Sequence, residues 1–256
     1  MGLQHETTEL QIPRGRVYFK PDGANGEVPL GNCPSVNLTV DTTKAEHFSS
    51  QTGLRQKDAS LDIEVNRTGA LQCDNMTMLN AARFFAGAVA TVNQAATPVT
   101  DELHTVTPGE YYQLGQTTAN PFGARNISAV SVSHTSGAPV YVEGTDYELD
   151  LPTGRLQILE GGAIAAGDVH VDYTPAAATW EQVASGAATK VSGALRIVAD
   201  NASGANRDWY LPSVNLTPSG DMPIINEDTN FATMSFDLEV LKPANQEAIY
   251  IGGRPA

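Results

Sequence analysis

The sequence predicts a mainly β protein: a β-sandwich or partial barrel with one flanking α-helix, interrupted by a small inserted β-sandwich of immunoglobulin-like character. Three observations carry this. Stretches in which apolar and polar residues alternate recur along the chain, from Leu61, Ile63 and Val65 in ASLDIEVNRTG to Met234, Phe236, Leu238 and Val240 near the end. That period belongs to strands with one buried and one solvated face. Only LQCDNMTMLNAARFFAG (71–87) carries apolar residues at helical spacing, and a lone amphipathic helix among strands needs a sheet to cover. Between about Asp101 and Tyr173 the composition shifts and lysine vanishes, then the first pattern resumes.

Taken in order, residues 1–13 read as a polar arm ending at Pro13, and RGRVYFK (14–20) as a strand. PDGANGE (21–27) is a turn cluster, after which Val36, Leu38 and Val40 alternate in a second strand. DTTKAEHFSSQTGLRQKD (41–58) has mixed charge and little periodicity, so it reads as a loop far longer than a hairpin needs. Its two large apolar residues, Phe48 and Leu54, suit a loop that meets a partner. The helix expected over 71–87 has Asp74 or Asn75 as its cap and Gly87 in the left-handed position past its end. Leu71, Met78, Ala82, Phe85 and Val89 form its buried face.

The segment from Asp101 to Tyr173 sets Arg125 and Arg155 against ten acidic residues, a net charge of −8 within a chain of −14. Its short strands and tight turns, such as DYELDL, Pro152-Thr153-Gly154 and RLQIL, predict the inserted sandwich. The expected organisation is therefore a discontinuous core, 1–100 with 178–256, around an acidic module at 101–177. In the second half of the core, Phe231 precedes the alternating face from Met234 to Val240.

Several function classes are disfavoured. A charge of −14 lacks the basic footprint by which nucleic-acid binders displace phosphate counterions, although it does not bar contact with DNA that slides without sticking. No apolar run is long enough to span a membrane, and MGLQHETTEL has neither the basic nor the apolar region of a secretory leader, so synthesis in a cytoplasm is expected. Cys33 and Cys73 are not spaced as metal ligands and read as two small core residues. Asp168, His170 and Asp172 lie on one strand face about 6.6 Å apart, too far for neighbours to share one ion unaided. They read as a solvated face, as does the row Asp146, Glu148 and Asp150. No nucleophile elbow, phosphate loop, zinc helix or dinucleotide fingerprint occurs, so neither catalysis nor a cofactor is expected.

The succession RGRVYFKP, then VPLGNCPSVNLTVDTTKAEHFSSQTGLRQKDASLDIEVNRTG, then a short helix resembles the major tail tube proteins of tailed bacteriophages. GTDYELDLPTGRLQI and GGAIAAGDVHVDY are similar to modules found in phage structural proteins. The resemblance implies a tail-tube-like fold and a non-enzymatic virion subunit, assembled in the host cytoplasm. Six copies would close a ring, and stacked rings would form a hollow conduit for DNA ejection. It makes the 41–58 loop, with Lys44, Glu46, Phe48, Leu54 and Arg55, the contact to neighbouring subunits or the next ring. It gives the terminal arms, 1–13 and 248–256, contacts to the adjacent ring. Asp62, Glu64, Asp237 and Glu239 are its candidates for an acidic lumen past which DNA moves without tight binding. Its implied partners are other copies of the chain, terminator, baseplate and tape measure proteins, with no membrane. The rival readings are a surface or carbohydrate-binding β-sandwich module and, within the phage class, a terminator or baseplate ring protein.

Overall fold

The computed structural model describes residues 10–186, 190–227 and 229–254. It is mainly β, with several sheets and, among the described residues, one helix. The chain forms two compact units: unit 1 runs to Val89 and resumes at Val183, and unit 2 is Ala90–Gln182.

Unit 1 begins with β1 (Gly15–Pro21), β2 (Val28–Pro29), β3 (Ser35–Ser49), β4 (Gln56–Cys73) and the helix α1 (Met78–Phe84). β5 (Ala88–Gln94) leads into unit 2, which holds β6 (Val99–Val106), β7 (Tyr111–Gln113), β8 (Ile127–Thr135), β9 (Ala138–Val140), β10 (Tyr147–Asp150), β11 (Arg155–Ile158) and β12 (Gly167–Pro175). β13 (Ala178–Ala184) pairs with β5 and leads back to β14 (Val191–Ala199), β15 (Arg207–Ser219), β16 (Met234–Val240) and β17 (Tyr250–Gly253).

The sheet of unit 1 is open, in the order β2-β1-β14-β15-β16-β4-β3, with β17 added along β15; it is not a closed barrel. Its ladders are antiparallel, which fits a sheet with one dry face. Phe19, Leu71, Leu195, Leu211, Leu216, Met234, Phe236 and Leu238 fill that face, and Phe84 of α1 joins them. The Phe84 and Phe236 rings meet edge to face, with centroids 5.8 Å apart. β16 shows the expected alternation, with Met234, Phe236, Leu238 and Val240 buried and Asp237 and Glu239 exposed. Phe231, expected beside it, lies outside the strand and is almost wholly exposed.

Beyond the β5–β13 ribbon, unit 2 holds the sheets β6-β12-β8-β9 and β10-β11-β7. They share one core, in which Leu156 and Ile158 of β11 meet Val169, Val171 and Tyr173 of β12.

The helix differs from expectation. Leu71 and Cys73 belong to β4, opposite Phe236 and Met234 of β16, so the apolar run spans the end of one strand, a helix and the next strand. Thr77 rather than Asp74 or Asn75 caps the helix, its hydroxyl accepting from the Asn80 amide at 3.1 Å. Met78 and Phe85 face outward, Val89 lies in β5, and the buried residues are Asn80, Ala82, Arg83 and Phe84. The left-handed position is Ala86 (φ 47°), followed by a bond from the Gly87 amide to the Ala82 carbonyl at 2.7 Å. Gly87 is needed for another reason: a Cβ there would meet the Ala184 carbonyl oxygen at 2.4 Å.

Residues 41–58 are not a loop. β3 and β4 form one long hairpin whose turn lies near residues 50–55. The terminal expectations also change where they can be followed. Residues 1–9, 255 and 256 lie outside the described residues, Ile12 bridges to Ser203, and Tyr250–Gly253 is a strand of the sheet rather than a free arm.

Candidate functional site

The β3–β4 hairpin continues well past the sheet. β4 meets β16 only from Thr68 to Cys73, so among the described residues Val40–Ser49 and Gln56–Arg67 pair with nothing but each other. At about 3.4 Å per residue this two-stranded arm reaches roughly 30 Å. Its side chains are almost all exposed, including Val40, Leu61, Ile63 and Val65. A bare two-stranded ribbon is marginal in water, and both edges of this one present unpaired backbone groups.

Two bulges set which way the arm's side chains point. Thr43 faces Glu64 but Lys44 faces Asp62, and His47 faces Ala59 but Phe48 faces Lys57, so Ile63 and Asp58 are extra residues in β4. Directly opposed residues of an antiparallel pair share a face. Leu61, opposite Ala45, therefore lies on the other face from Val65, opposite Thr42. The strict alternation expected for Leu61, Ile63 and Val65 is broken, and so is the shared face of Asp62 and Glu64. Asp62 sits opposite Lys44, with Nζ to Oδ1 at 3.4 Å, on the face that continues the core side. On the same face Lys57 pairs with Glu46, and the Arg55 guanidinium lies 5.2 Å from the Phe48 ring centre. Leu54, in the turn, is two-thirds exposed. Lys44, Glu46, Phe48, Leu54 and Arg55 thus all sit in the outer half of the arm.

Glu64 falls on the opposite face, where Asn66 Nδ2 donates to it at 2.8 Å. That face runs on without a break into the solvated side of the sheet. Thr39, Thr68, Glu239 and Asn215 are opposed in one row, and Asn37, Ala70, Asp237 and Thr217 in the next. Asn215 Nδ2 donates to Glu239 at 2.7 Å, and Ser192 Oγ donates to Asn215 Oδ1 at 2.8 Å, a polar chain across three strands. From Asp41 and Glu64 to Asp237 and Glu239, the paired positions on this face carry carboxylates and no lysine or arginine. Lys44, Lys57 and Arg67, the cations of the arm's ladder, share the other face.

Two more exposed apolar groups escaped sequence reasoning. Between β15 and β16, Ile224, Ile225 and Phe231 are 86%, 94% and 93% exposed. The signal available was MPII, an apolar run in a segment otherwise marked by turn residues. Around α1, Met76, Met78, Leu79 and Phe85 form an apolar outer surface. Exposed apolar groups clustered in this way mark interaction surfaces.

In unit 2 a cavity of about 670 Å³ lies beside Glu102, His104, Tyr111, Tyr112 and Tyr173. The Glu102 carboxylate accepts from His104 Nε2 (2.8 Å), Tyr173 Oη (2.6 Å) and the Gly115 amide (2.9 Å). Burial alone would raise its pKa, but these hydrogen bonds hold it below the usual carboxylate range. Burial and the bond to Glu102 push the Tyr173 phenol up. The row Asp168, His170 and Asp172 is taken up by neighbours: Asp168 by Thr105 Oγ1, His170 by Asp101 at 2.8 Å, and Asp172 by the Asp101 amide. In the other row Asp146 is buried rather than solvated, accepting from the Ala163 and Val142 amides, which lower its pKa. Among the described residues no three His, Cys, Asp or Glu side chains converge as a metal site. None of their helices is long and apolar enough to cross a membrane.

A comparison with protein families returns a match over residues 11–251 to the family described as "Protein of unknown function UCP028589". The chain belongs to that family. The match spans both units and includes the entire arm. No curated protein matches the chain.

Proposed function

We propose that this chain is a self-assembling structural subunit of a bacteriophage tail tube, with unit 2 as an inserted immunoglobulin-like module on a tail-tube-like core. The observation that carries the reading is the arm: a ribbon of roughly 30 Å with apolar side chains on both faces and no strand partner for it among the described residues. Such a ribbon becomes stable by lying against another subunit, and in a ring of six each arm meets a neighbour or the next ring. The open sheet supports the same reading, because ring closure gives exposed strand edges a partner. Over β3, β4 and β16 its solvated face carries no lysine or arginine to hold phosphate, which suits a lumen that conducts DNA, while Arg16, Lys20 and Arg196 stand on the β1 and β14 part of the same side. Other copies of the chain are the principal partners, with terminator, baseplate and tape measure proteins at the tube's ends and core, and the site of action is the virion tail.

Deleting residues 44–56 tests this reading. The shortened chain is expected to fold, because the removed ladder touches no core residue, and to make no tubes. Tubes of full length from the shortened chain, seen by electron microscopy, contradict it.

A second reading applies to unit 2 alone. The cavity flanked by Tyr111, Tyr112 and His104 is large enough for a small ligand, which supports a binding role such as carbohydrate recognition. A glycan array probed with the full chain tests it, and no hit on any glycan counts against it.

A further inference from the structure

We propose that Cys33 and Cys73 are an oxidisable dithiol that closes into a disulfide across the root of the arm. Their Sγ atoms lie 3.4 Å apart although the residues are 40 positions apart in the chain. Cys33 stands just before β3 and Cys73 ends β4, so the pair joins the two strands at the end remote from the turn. The Asp74 amide donates to the Asn32 carbonyl at 3.2 Å, which holds the two segments side by side. A disulfide bond is about 2.0 Å long, so closure asks for an approach of roughly 1.4 Å. Cys73 is fixed in the core, whereas Cys33 is half-buried on the connecting loop and supplies that movement.

A second observation concerns Arg83. Its side chain is buried, its Nη1 donates to Asn80 Oδ1 at 2.6 Å, and its guanidinium lies 5.5 Å from the Phe19 ring centre. Its Nε and Nη2 are also buried and have no hydrogen-bond partner among the described residues. A buried cation with uncommitted donors needs a nearby anion, and a thiolate beside it meets that need. The hydrogen bond from Cys33 and the charge of Arg83 both favour the thiolate at Cys73, while the same bond pushes the Cys33 thiol up.

A peroxide small enough to reach the half-buried Cys33 is the oxidant. Cys33 passes its proton to the Cys73 thiolate along their hydrogen bond and attacks one peroxide oxygen as the thiolate; the O–O bond breaks and the departing hydroxide takes a proton from solvent to leave as water, giving a sulfenic acid. Cys73 Sγ then attacks Cys33 Sγ. The S–S bond forms, the S–O bond breaks, and the released hydroxide takes the Cys73 proton as a second water. The two sulfurs lose two electrons and the two peroxide oxygens gain them. The product staples the root of the arm, and its formation requires no assembly into tubes.

The full-length protein, reduced and freed of reductant, is treated with hydrogen peroxide, then denatured, alkylated and analysed by intact mass and peptide mapping. The expected result is loss of both alkylatable thiols, a mass lower by two hydrogens, and peptides of Cys33 and Cys73 linked within one chain. Melting temperature rises by several degrees, because the bond constrains the unfolded chain, and dithiothreitol reverses the change. Cys33→Ser, which leaves Cys73 in the core, shows neither the crosslink nor the rise. Thiols that remain alkylatable, oxidation to sulfinic acid without a crosslink, or a bond between two chains would overturn the proposal.

Discussion

Replacing Leu61 and Ile63 together by threonine is expected to weaken assembly strongly and to leave the fold alone. The two side chains are 66% and 60% exposed on the free chain. Fully burying such a side chain stabilises by about 1.5–3 kcal/mol, so covering the exposed two-thirds contributes about 1–2 kcal/mol at each position. Threonine, a β-branched strand former, keeps part of the apolar surface, which leaves a loss of about 2–3 kcal/mol per chain. At 1.4 kcal/mol per tenfold change, the concentration needed for assembly rises by roughly 30- to 150-fold. Light scattering across a dilution series reads that concentration, and a thermal melt of the unassembled protein reads stability. Changes at exposed positions are worth about 0.5 kcal/mol or less, so the melt should be nearly unchanged. An unaltered assembly threshold would show that the arm's apolar residues meet no partner. A melt lowered by many degrees would show that they are packed within the free chain, against the geometry described.

Further outcomes follow from other parts of the structure. Asp237→Lys places a cation on the carboxylate face and should give salt-sensitive binding to duplex DNA where the native chain shows none, as read by fluorescence anisotropy; equal binding by both proteins argues against a DNA-facing role for that surface. Phe236→Ala empties the contact with Phe84 in the core and should cost about 3–5 kcal/mol, seen as a large fall in melting temperature; a shift of only a degree or two would contradict the packing. Because hydrogen bonds hold the Glu102 carboxyl below its ordinary range, its contribution to stability is present above the ordinary carboxylate pKa and is lost as pH falls through the lower folded value. Glu102→Gln should therefore reduce stability at neutral pH and flatten the decline below about pH 4.3, and an equally steep acid decline in the variant counts against this role.

How much of this was legible in the sequence depends on whether a side chain has a buried face to report. β16 was readable residue by residue from 234 to 240, because its odd and even positions meet different environments. The arm was not readable as a hairpin, because no face of it is buried by the described residues and a charged ladder such as Lys44–Asp62 carries no hydrophobic period. Its bulges at Ile63 and Asp58 also shift the facing, which no counting by twos anticipates. The helix was misplaced because apolar residues of β4, α1 and β5 follow one another closely enough to imitate a longer helix. Phe48 and Leu54 did signal an unusual segment, while Ile224 and Ile225 gave the same kind of signal and went unread. The nearness of Cys33 to Cys73 follows from pairing outward from the turn at residues 50–55, a step that needs the hairpin to be recognised first.

Negative-stain electron microscopy of the purified full-length protein over a wide concentration range tests the central claim most directly. Hollow tubes with a regular axial repeat, appearing above a threshold concentration, are the expected result. Particles that remain monomeric at every concentration would contradict a self-assembling tube subunit.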